Sequence, residues 1–567
     1  MLIAESLKIE KIEPVFVLCD TVLKKNCLCM SVVPYEESGE RERICGECRG
    51  NRDFLHRRFH SHRILLDSYV LPEERERILK HLRNWDSANL GNYVFQRIQI
   101  GKKALYEFIL KYKLLGDVIP PERKEEFLVN LYNAALVATA MERILAEVQP
   151  AMLLLYNSFY STNQVVAEIA SIRKIPVFSV HAGTHHLYRN RIITLQKVTV
   201  ASGSNATDPP YPEKIPSLNP AQLPMIEEHI QGLFEARTVW VYSPKARRES
   251  VCEIREKMAI SSRQKVILAA LRSDDERSAA DLSLGLGTER RPLFQDQFLW
   301  MNWLSEFAKK NPELTVVVRQ HPREVANRRE KVISANHSRL DQWVARRQVP
   351  ENMIFNRPEH GVSLYDLFKI TDVLLRNSSS VGSEAALYGI PVVGMGDDTA
   401  FDPALQAESR TLEEYEKNIQ VALQSGWKLQ QVYLAYRWFH YLFVHREIDV
   451  RDGWDNSKTP FFRLKKKWAK SRAKFFQSGF VDSSYTLRRL RRPLAQHERL
   501  MEILLGRPWT DNSRKGGSAG MQTNFELVRA TYRKTMGWLS GKRDDEFQVK
   551  VEGVCSQTVS PEDHLIF

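Results

Sequence analysis

Three consecutive serines stand where an apolar run ends in the second half of the chain. The segment is RNSSSVGSEAALYGIPVVG, residues 376–394, and its serines are Ser378, Ser379 and Ser380. A strand that ends in small polar residues leads into a helix N-terminus, where unpaired backbone N–H groups attract an anion. Glu384 falls in the first helical turn, with a carboxylate that can accept hydrogen bonds from ribose hydroxyls. The segment predicts a phosphate-binding turn, and the alternative is a serine-capped helix without a ligand.

Cationic side chains follow a second apolar run of the same region. The segment TVVVRQHPRE places Arg319, His321 and Arg323 at the carboxyl end of a predicted strand, and Pro322 restricts the turn. Arg272 follows the apolar run KVILAAL and is a further candidate. Because the carboxyl ends of parallel strands meet at one edge of a sheet, we expect these groups to converge with the serines on a pyrophosphate or a nucleoside monophosphate. The alternative for His321 is a loop histidine that stabilises its turn.

The two motifs resemble the HP and SS motifs of GT-B glycosyltransferases from capsule and cell-surface polysaccharide synthesis. The resemblance covers about residues 265–396, is weaker over 151–203 and is absent from the C-terminal tail. Kdo transferases and bacterial sialyltransferases of this group use CMP-sugars, and the related teichoic-acid polymerases use CDP-alditols. In these families the HP histidine and the SS serines hold the phosphate of the donor. The resemblance therefore implies that role for His321 and for the three serines.

The segment SVHAGTHHL is similar to the His-Gly-Thr segment of teichoic-acid polymerases, whose histidine is the general base. In this chain Ala182 separates His181 from Gly183. An acceptor hydroxyl must lose its proton as a glycosidic bond forms, and an imidazole with a pKa of about 6.5 suits that task. We therefore expect His181 to be the base, and the alternatives are a positioning histidine or a plain strand-end residue. The acceptor-side candidates beside it are Asn157, Thr184 and His185.

Strand and helix patterns alternate along most of the chain, which predicts an α/β fold. We expect two Rossmann-like domains with parallel, doubly covered sheets, as in GT-B enzymes, and a helical C-terminal extension. The chain opens within a helix pattern, which indicates a truncated start or a missing first strand. The predicted units are an acceptor domain (1–235), a nucleotide-sugar domain (236–425), a basic helical extension (426–510), and a linker, short helix and flexible tail (511–567).

The net charge of +13 is concentrated in one segment, residues 461–492, which holds eleven Lys or Arg residues against Asp482 alone. Aromatic residues interleave with the cations, so this segment is expected to lie on an anionic membrane surface. The alternative is a helix packed on the domains with its lysines in water. No recognised nucleic-acid module is present, which argues against a nucleic-acid partner. With no membrane-length apolar run and no signal pattern, we expect a cytoplasmic protein, peripheral at the inner face of the membrane.

Four of the seven cysteines lie close together in sequence, as C-x-C followed by C-x-x-C. That spacing could close a tetrahedral structural zinc site over a loop, and the alternative is a set of reduced thiols without metal. An odd number of cysteines argues against a complete disulfide framework. The four residues are Cys27, Cys29, Cys45 and Cys48.

Taken together, the sequence predicts a metal-independent glycosyltransferase that requires no cofactor for catalysis. Its donor would be a CMP-, CDP-, UDP- or GDP-linked sugar, and its acceptor a glycan or lipid-linked glycan of surface polysaccharide assembly. Two alternatives remain open. A sugar-nucleotide epimerase of GT-B shape would share the phosphate site, and a non-catalytic assembly protein would keep the fold without turnover.

Overall fold

The computed structural model describes most of the chain. The described residues are 1–23, 25–30, 33–86, 89–189, 191–198, 218–237, 241–284, 293–326, 331–377, 379–395, 405–454, 490, 492–506, 520–540 and 544–557.

Helices and strands alternate as the sequence pattern predicts. The helices are α1 (Leu2–Ile9), α2 (Ser38–Phe59), α3 (Pro72–Asn84), α4 (Ile100–Tyr112), α5 (Lys124–Val148), α6 (Ser161–Ile172), α7 (Leu223–Phe234), α8 (Val251–Lys257), α9 (Asp274–Leu284), α10 (Gln297–Lys310), α11 (Ala335–Arg346), α12 (Leu364–Ile370), α13 (Val381–Ala386), α14 (Leu412–Ser425), α15 (Leu429–His440), α16 (His497–Leu505), α17 (Gly520–Ser540) and α18 (Asp545–Cys555). The strands are β1 (Val15–Leu18), β2 (His62–Leu65), β3 (Leu153–Tyr156), β4 (Val177–Ala182), β5 (Ile192–Lys197), β6 (Lys265–Ala270), β7 (Leu314–Arg319), β8 (Met353–Asn356), β9 (Val373–Arg376), β10 (Val392–Gly394) and β11 (Ile448–Asp449).

The second unit is built on a five-stranded parallel sheet in the order β10-β9-β6-β7-β8. Alternate residues of its strands enter two separate apolar cores, for example Leu268 on one face and Ile267 on the other. Both faces are therefore buried, which is why the strands are continuous apolar runs. In the register Ala270 lies opposite both Arg319 and Arg376, so the carboxyl ends of β6, β7 and β9 are level.

The first unit contains a four-stranded mixed sheet in the order β11-β5-β4-β3. Strands β3 and β4 are parallel and are joined through α6, as expected from the sequence. Strand β5 is antiparallel to β4, which differs from the all-parallel sheet that we predicted, because the connection over residues 183–191 is too short for a crossover helix. Strands β1 and β2 form a separate parallel pair.

The C-terminal extension returns to the first unit after crossing the second. Helix α15 continues into a π-helical turn, Tyr441–Arg446, and β11 then pairs with β5. Beyond β11, Trp454 and residues of α16 pack with Leu2 and Leu7 of α1 in one apolar core. The extension therefore completes the first unit.

Residues 520–540 and 544–557 form two packed helices where a short helix and a flexible tail were predicted, and the predicted linker lies outside the described residues. Helix α17 is 21 residues long, and α18 follows it with Phe547, Val551 and Val554 buried in the larger core of the second unit. Helix α18 is held in place by apolar packing and by a buried ion pair, in which Asp544 accepts from the Lys369 ammonium at 3.0 Å. The end of the chain, as far as residue 557, is part of the globular structure.

The predicted α/β fold, with two Rossmann-like units and a helical C-terminal extension, is confirmed. Among the described helices, none combines the length and apolar character needed to cross a bilayer.

Candidate functional site

A cavity of about 120 Å³ lies where the carboxyl ends of β6, β7 and β9 meet. Both units contribute to its wall, because the loop after β4 and Leu233 of α7 reach it from the first unit and the remaining lining belongs to the second. Its polar lining side chains are His186, Tyr242, Ser243, Arg319, Gln320, His321, Tyr365, Ser379, Ser380 and Glu384.

Arg319 is the buried cation of this cavity, with only 4% of its surface exposed. Its guanidinium donates to the Val362 carbonyl at 3.2 Å, to Ser243 Oγ at 3.3 Å and to the side-chain oxygen of Asn356. These partners are neutral, and within the described ranges no carboxylate lies at ion-pair distance from it. Burial lowers its pKa to about 10, so it is still charged at neutral pH. The cavity therefore carries a buried positive charge that the described residues do not neutralise.

His321 begins a short 3₁₀ helix, Pro322–Glu324, and its side chain caps that helix. Its Nδ1 accepts from the Arg323 backbone N–H at 3.2 Å. Since Nδ1 is an acceptor, the neutral ring carries its proton on Nε2, which can donate to an anionic oxygen. The turn-stabilising role and a ligand-binding role are thus compatible, because they use different ring nitrogens.

The serine turn is held by Arg376 at the end of β9. Its Nε donates to the Ser379 carbonyl at 2.5 Å, and its Nη1 donates to Gln406 at 2.8 Å. Ser380 occupies the N-cap position of α13, but its hydroxyl makes no capping bond and donates instead to Glu384 Oε1 at 3.2 Å. Helix capping therefore does not account for Ser380. Ser378 lies outside the described residues.

Glu384 is a partly buried carboxyl group whose pKa burial raises to about 7. The Tyr365 hydroxyl donates to Oε2 at 3.1 Å and partly opposes that shift. At neutral pH the group is therefore divided between its protonated and ionised forms, which is the condition for proton exchange with a ligand.

His186 was not among the predicted site residues, yet it lines the cavity. Its backbone N–H donates to His229 Nδ1 at 3.3 Å, while its own Nδ1 has no hydrogen-bond partner among the described residues. Burial lowers the pKa of His186 to about 3, so the ring is neutral at physiological pH and can accept a proton only transiently. The adjacent pair of histidines in SVHAGTHHL was the only sequence signal for it.

The loop that carries His186 is anchored by Glu447 from the C-terminal extension. Glu447 is fully buried, and its Oε1 accepts from the Thr184 backbone N–H at 2.6 Å and from the Thr184 hydroxyl at 2.7 Å. A Cβ at Gly183 would lie 2.1 Å from the Ile192 carbonyl oxygen, so glycine is required there. Thr184 is therefore a structural anchor of the loop and does not line the cavity.

The predicted base and its neighbours are placed away from the cavity. His181 is half-buried, donates through Nδ1 to the Ala182 carbonyl at 2.9 Å and stacks on Tyr156, and burial lowers its pKa. His185 is fully buried and donates to the Met225 carbonyl at 3.0 Å. Asn157 accepts from the Phe159 backbone N–H at 3.1 Å and stabilises the turn after β3.

Two of the predicted phosphate-binding arginines form ion pairs with aspartates of the protein. Arg272 donates to Asp274 at 2.5 Å and to Asn377 at 3.1 Å. Arg323, with 2% of its surface exposed, forms an ion pair with Asp275. Their charges are thus compensated by carboxylates at the start of α9, and neither side chain lines the cavity.

The cysteine cluster does not form a metal site in the described part of the chain. No group of three or more His, Cys, Asp or Glu side chains there is arranged to hold a metal ion, so the zinc prediction is not supported. The Cys29 thiol is hydrogen-bonded to Cys27 and Cys48, and Cys45 packs on a small apolar core. None of the four forms a disulfide.

The predicted membrane-binding segment, residues 461–492, lies outside the described residues except for Leu490 and Arg492.

No protein-family model matches the chain, and no curated protein is similar to it in sequence. Several solved structures show a remote likeness. The UDP-GlcNAc 2-epimerase of Methanocaldococcus jannaschii, in complex with UDP-GlcNAc and UDP, is 14% identical over 52% of this chain and 74% of its own, with a TM-score of 0.26. The UDP-GlcNAc 2-epimerase of Neisseria meningitidis is 13% identical over 60% and 92%, with a TM-score of 0.21. The S. aureus MnaA–UDP structure is 11% identical over 76% and 90%, with a TM-score of 0.24.

Proposed function

We propose that this protein is an enzyme that acts on a nucleotide-activated sugar, whose phosphate occupies the cavity at the ends of β6, β7 and β9. The observation that carries the proposal is the buried guanidinium of Arg319, whose hydrogen-bond partners among the described residues are all neutral. A buried charge without a counter-charge is costly, and an anionic ligand would remove that cost. His321 and the serine turn line the same cavity and offer further donors.

The reaction begins with cleavage of the bond between the anomeric carbon and the phosphate oxygen. Negative charge then grows on the departing phosphate, close to the cation of Arg319 and to the Nε2–H of His321. Donors that are already oriented toward developing charge stabilise such a step without a metal ion. Ser379 and Ser380 line the same cavity, and their hydroxyls would contribute in the same way.

In glycosyl transfer the sugar passes to an acceptor hydroxyl, which loses its proton. His186 lines the cavity from the first unit, and its neutral ring can take that proton transiently as a weak base, because burial lowers its pKa to about 3. We therefore assign the role of base to His186 in place of His181. The acceptor would be a glycan or lipid-linked glycan of surface polysaccharide assembly, as the resemblance of the HP and SS motifs implies.

Epimerisation of the bound sugar is the second candidate. It requires two groups able to exchange protons, because one proton leaves a carbon and another returns to the opposite face. His186 and Glu384 both line the cavity, and the pKa of Glu384 is raised to about 7. That pair of side chains is the specific feature that favours this reaction.

Calorimetric titration with CMP, CDP, UDP and GDP tests the shared binding step. We expect one nucleotide to bind to the wild type and the variant Arg319→Met to lose at least about tenfold in affinity, the value of one charge-assisted hydrogen bond. Arg272→Met is the control, since Arg272 is also buried, near the end of the neighbouring strand, but does not line the cavity. Equal losses in both variants, or no binding by the wild type, would contradict the proposal.

Incubation with nucleotide sugars then assigns the reaction. Nucleotide release that depends on an added glycan acceptor indicates transfer. Acceptor-independent conversion to an isomeric sugar nucleotide indicates epimerisation. Binding without turnover in either assay would leave a non-catalytic assembly protein and contradict the enzymatic proposal.

A further inference from the structure

A fully buried lysine joins the two units next to the cavity. Lys113 follows α4 of the first unit in a left-handed backbone conformation, with φ of 50°. Its side chain has no exposed surface. Its ammonium donates to the backbone carbonyls of Val332 at 2.6 Å, of Val325 at 3.1 Å and of Arg323. All three acceptors belong to the segment that follows His321 in the second unit.

The number of donors matches the number of these acceptors. An ammonium group carries three N–H donors, and the carbonyls of residues 323, 325 and 332 accept from it. Buried carbonyls outside helices and sheets need such partners, because an unpaired one costs free energy. The lysine thus replaces the hydrogen bonds that regular secondary structure would otherwise supply.

A second contact crosses between the units at the same place. The Arg323 guanidinium donates to the Leu110 carbonyl of α4 at 2.9 Å and to Ser273 Oγ at 3.1 Å, while it pairs with Asp275 of α9. Helices α4 and α9 also pack directly on each other. Each unit therefore donates from a side chain to a backbone carbonyl of the other, Lys113 to Arg323 and Arg323 to Leu110.

We infer that Lys113 is a positioning residue that holds the backbone at Arg323, Val325 and Val332 and thereby sets His321 at the cavity wall. His321 is connected to this segment through its own Nδ1, which accepts from the Arg323 backbone N–H. A shift of that backbone moves the imidazole with it. The expected effect of Lys113 on nucleotide affinity rests on the proposed function, whereas its expected effect on the backbone after His321 does not.

Two measurements on the full-length protein test the inference. In Lys113→Met the three carbonyls lose their donor, so the amides of residues 321–326 should exchange hydrogen faster than in the wild type. Affinity for the nucleotide selected by calorimetry should fall about tenfold, the effect of misplacing one charge-assisted hydrogen bond. Lys113→Gln keeps two N–H donors and should give a smaller change in both, and it replaces Lys113→Met if that variant does not fold.

Lys111→Met is the control. Lys111 lies on the same helix and pairs with Glu126 at 2.6 Å, within the first unit. The Lys111→Met variant should leave both the hydrogen exchange of amides 321–326 and the nucleotide affinity unchanged. Unchanged exchange in the Lys113 variants, or the same change in Lys111→Met, would overturn the inference. If the wild type binds none of the nucleotides, the proposed function fails, and the exchange measurement still decides the role of Lys113.

Discussion

Three arginines were predicted to bind phosphate, and their partners separate them into two kinds. Arg272 and Arg323 meet carboxylates of Asp274 and Asp275, so their charges are balanced inside the protein. Among the described residues, Arg319 donates to neutral oxygens only, and it lines the cavity. The balance of charge, rather than the position along the motif, marks the residue that an anion would contact.

Sequence reasoning could not make this distinction. The segment RQHPRE predicts cations after a strand, but it does not show which of them a carboxylate from the start of α9 will reach. The same limit applies to the histidines of SVHAGTHHL. His181 lies on β4, whereas the loop that brings His186 to the cavity depends on Glu447, which is more than 250 residues away in the chain.

Glu384 gives a prediction on the dependence of stability on pH. Its pKa rises from 4.5 to about 7 on folding, because burial disfavours the charged form. The folded state therefore binds this proton more tightly than the unfolded chain. The resulting stabilisation is complete below pH 4.5 and is lost as the pH rises through 7. From pH 4.5 to 8, we expect the wild type to lose about 2 kcal/mol of unfolding free energy relative to Glu384→Gln, after allowance for partial exposure.

Urea unfolding of the wild type and Glu384→Gln at a series of pH values measures this difference. The comparison cancels the contributions of other buried carboxyl groups, because both proteins contain them. Parallel stability curves for the two proteins would show that Glu384 is not the group responsible.

At the scale of elements, the strands of the second unit were predictable and the last helix was not. The runs KVILAAL, LTVVV and DVLL are continuous apolar segments, typical of strands buried on both faces. Helix α18 is rich in charged residues, and its position depends on a buried ion pair between Asp544 and Lys369, 175 residues apart. A local sequence pattern cannot predict an ion-pair partner that lies so far away in the chain.

This ion pair gives a prediction on folding stability. The side chains of Lys369 and Asp544 are at most 2% exposed, and Asp544 also accepts from the Val251 backbone N–H at 3.1 Å. Asp544→Ala leaves the ammonium buried without its counter-charge, so we expect a loss of about 3–5 kcal/mol in the free energy of unfolding. Denaturant titration measures it. Asp545→Ala, at the exposed neighbouring residue, should change stability by less than about 0.5 kcal/mol.

At the scale of the whole molecule, the charge is distributed unevenly. Residues 461–492 carry most of the net charge of +13. Attraction of a basic segment to anionic lipid amounts to about 1 kcal/mol for each cation near the surface and is weakened by salt. We therefore expect the protein to sediment with vesicles that contain anionic phospholipid, but not with vesicles of phosphatidylcholine alone.

The control for this prediction is a variant in which the seven basic residues of segment 463–474 are replaced by glutamine. It should lose vesicle binding and keep nucleotide affinity, because the segment contributes no described residue to the cavity. Binding that persists in the variant, or that does not weaken when the salt concentration rises, would contradict an electrostatic attachment.

The pairing of β11 with β5 has a consequence for synthesis of the chain. The last strand of the first sheet comes from Ile448–Asp449, and many of the apolar residues in the core around α1 come from residues beyond it. On the ribosome, the N-terminal 235 residues emerge long before these pieces, with an uncovered strand edge and an unfilled apolar surface. A nascent chain in that state can pair through its open strand edge with other chains. The N-terminal half should therefore need chaperone protection until translation has passed residue 505.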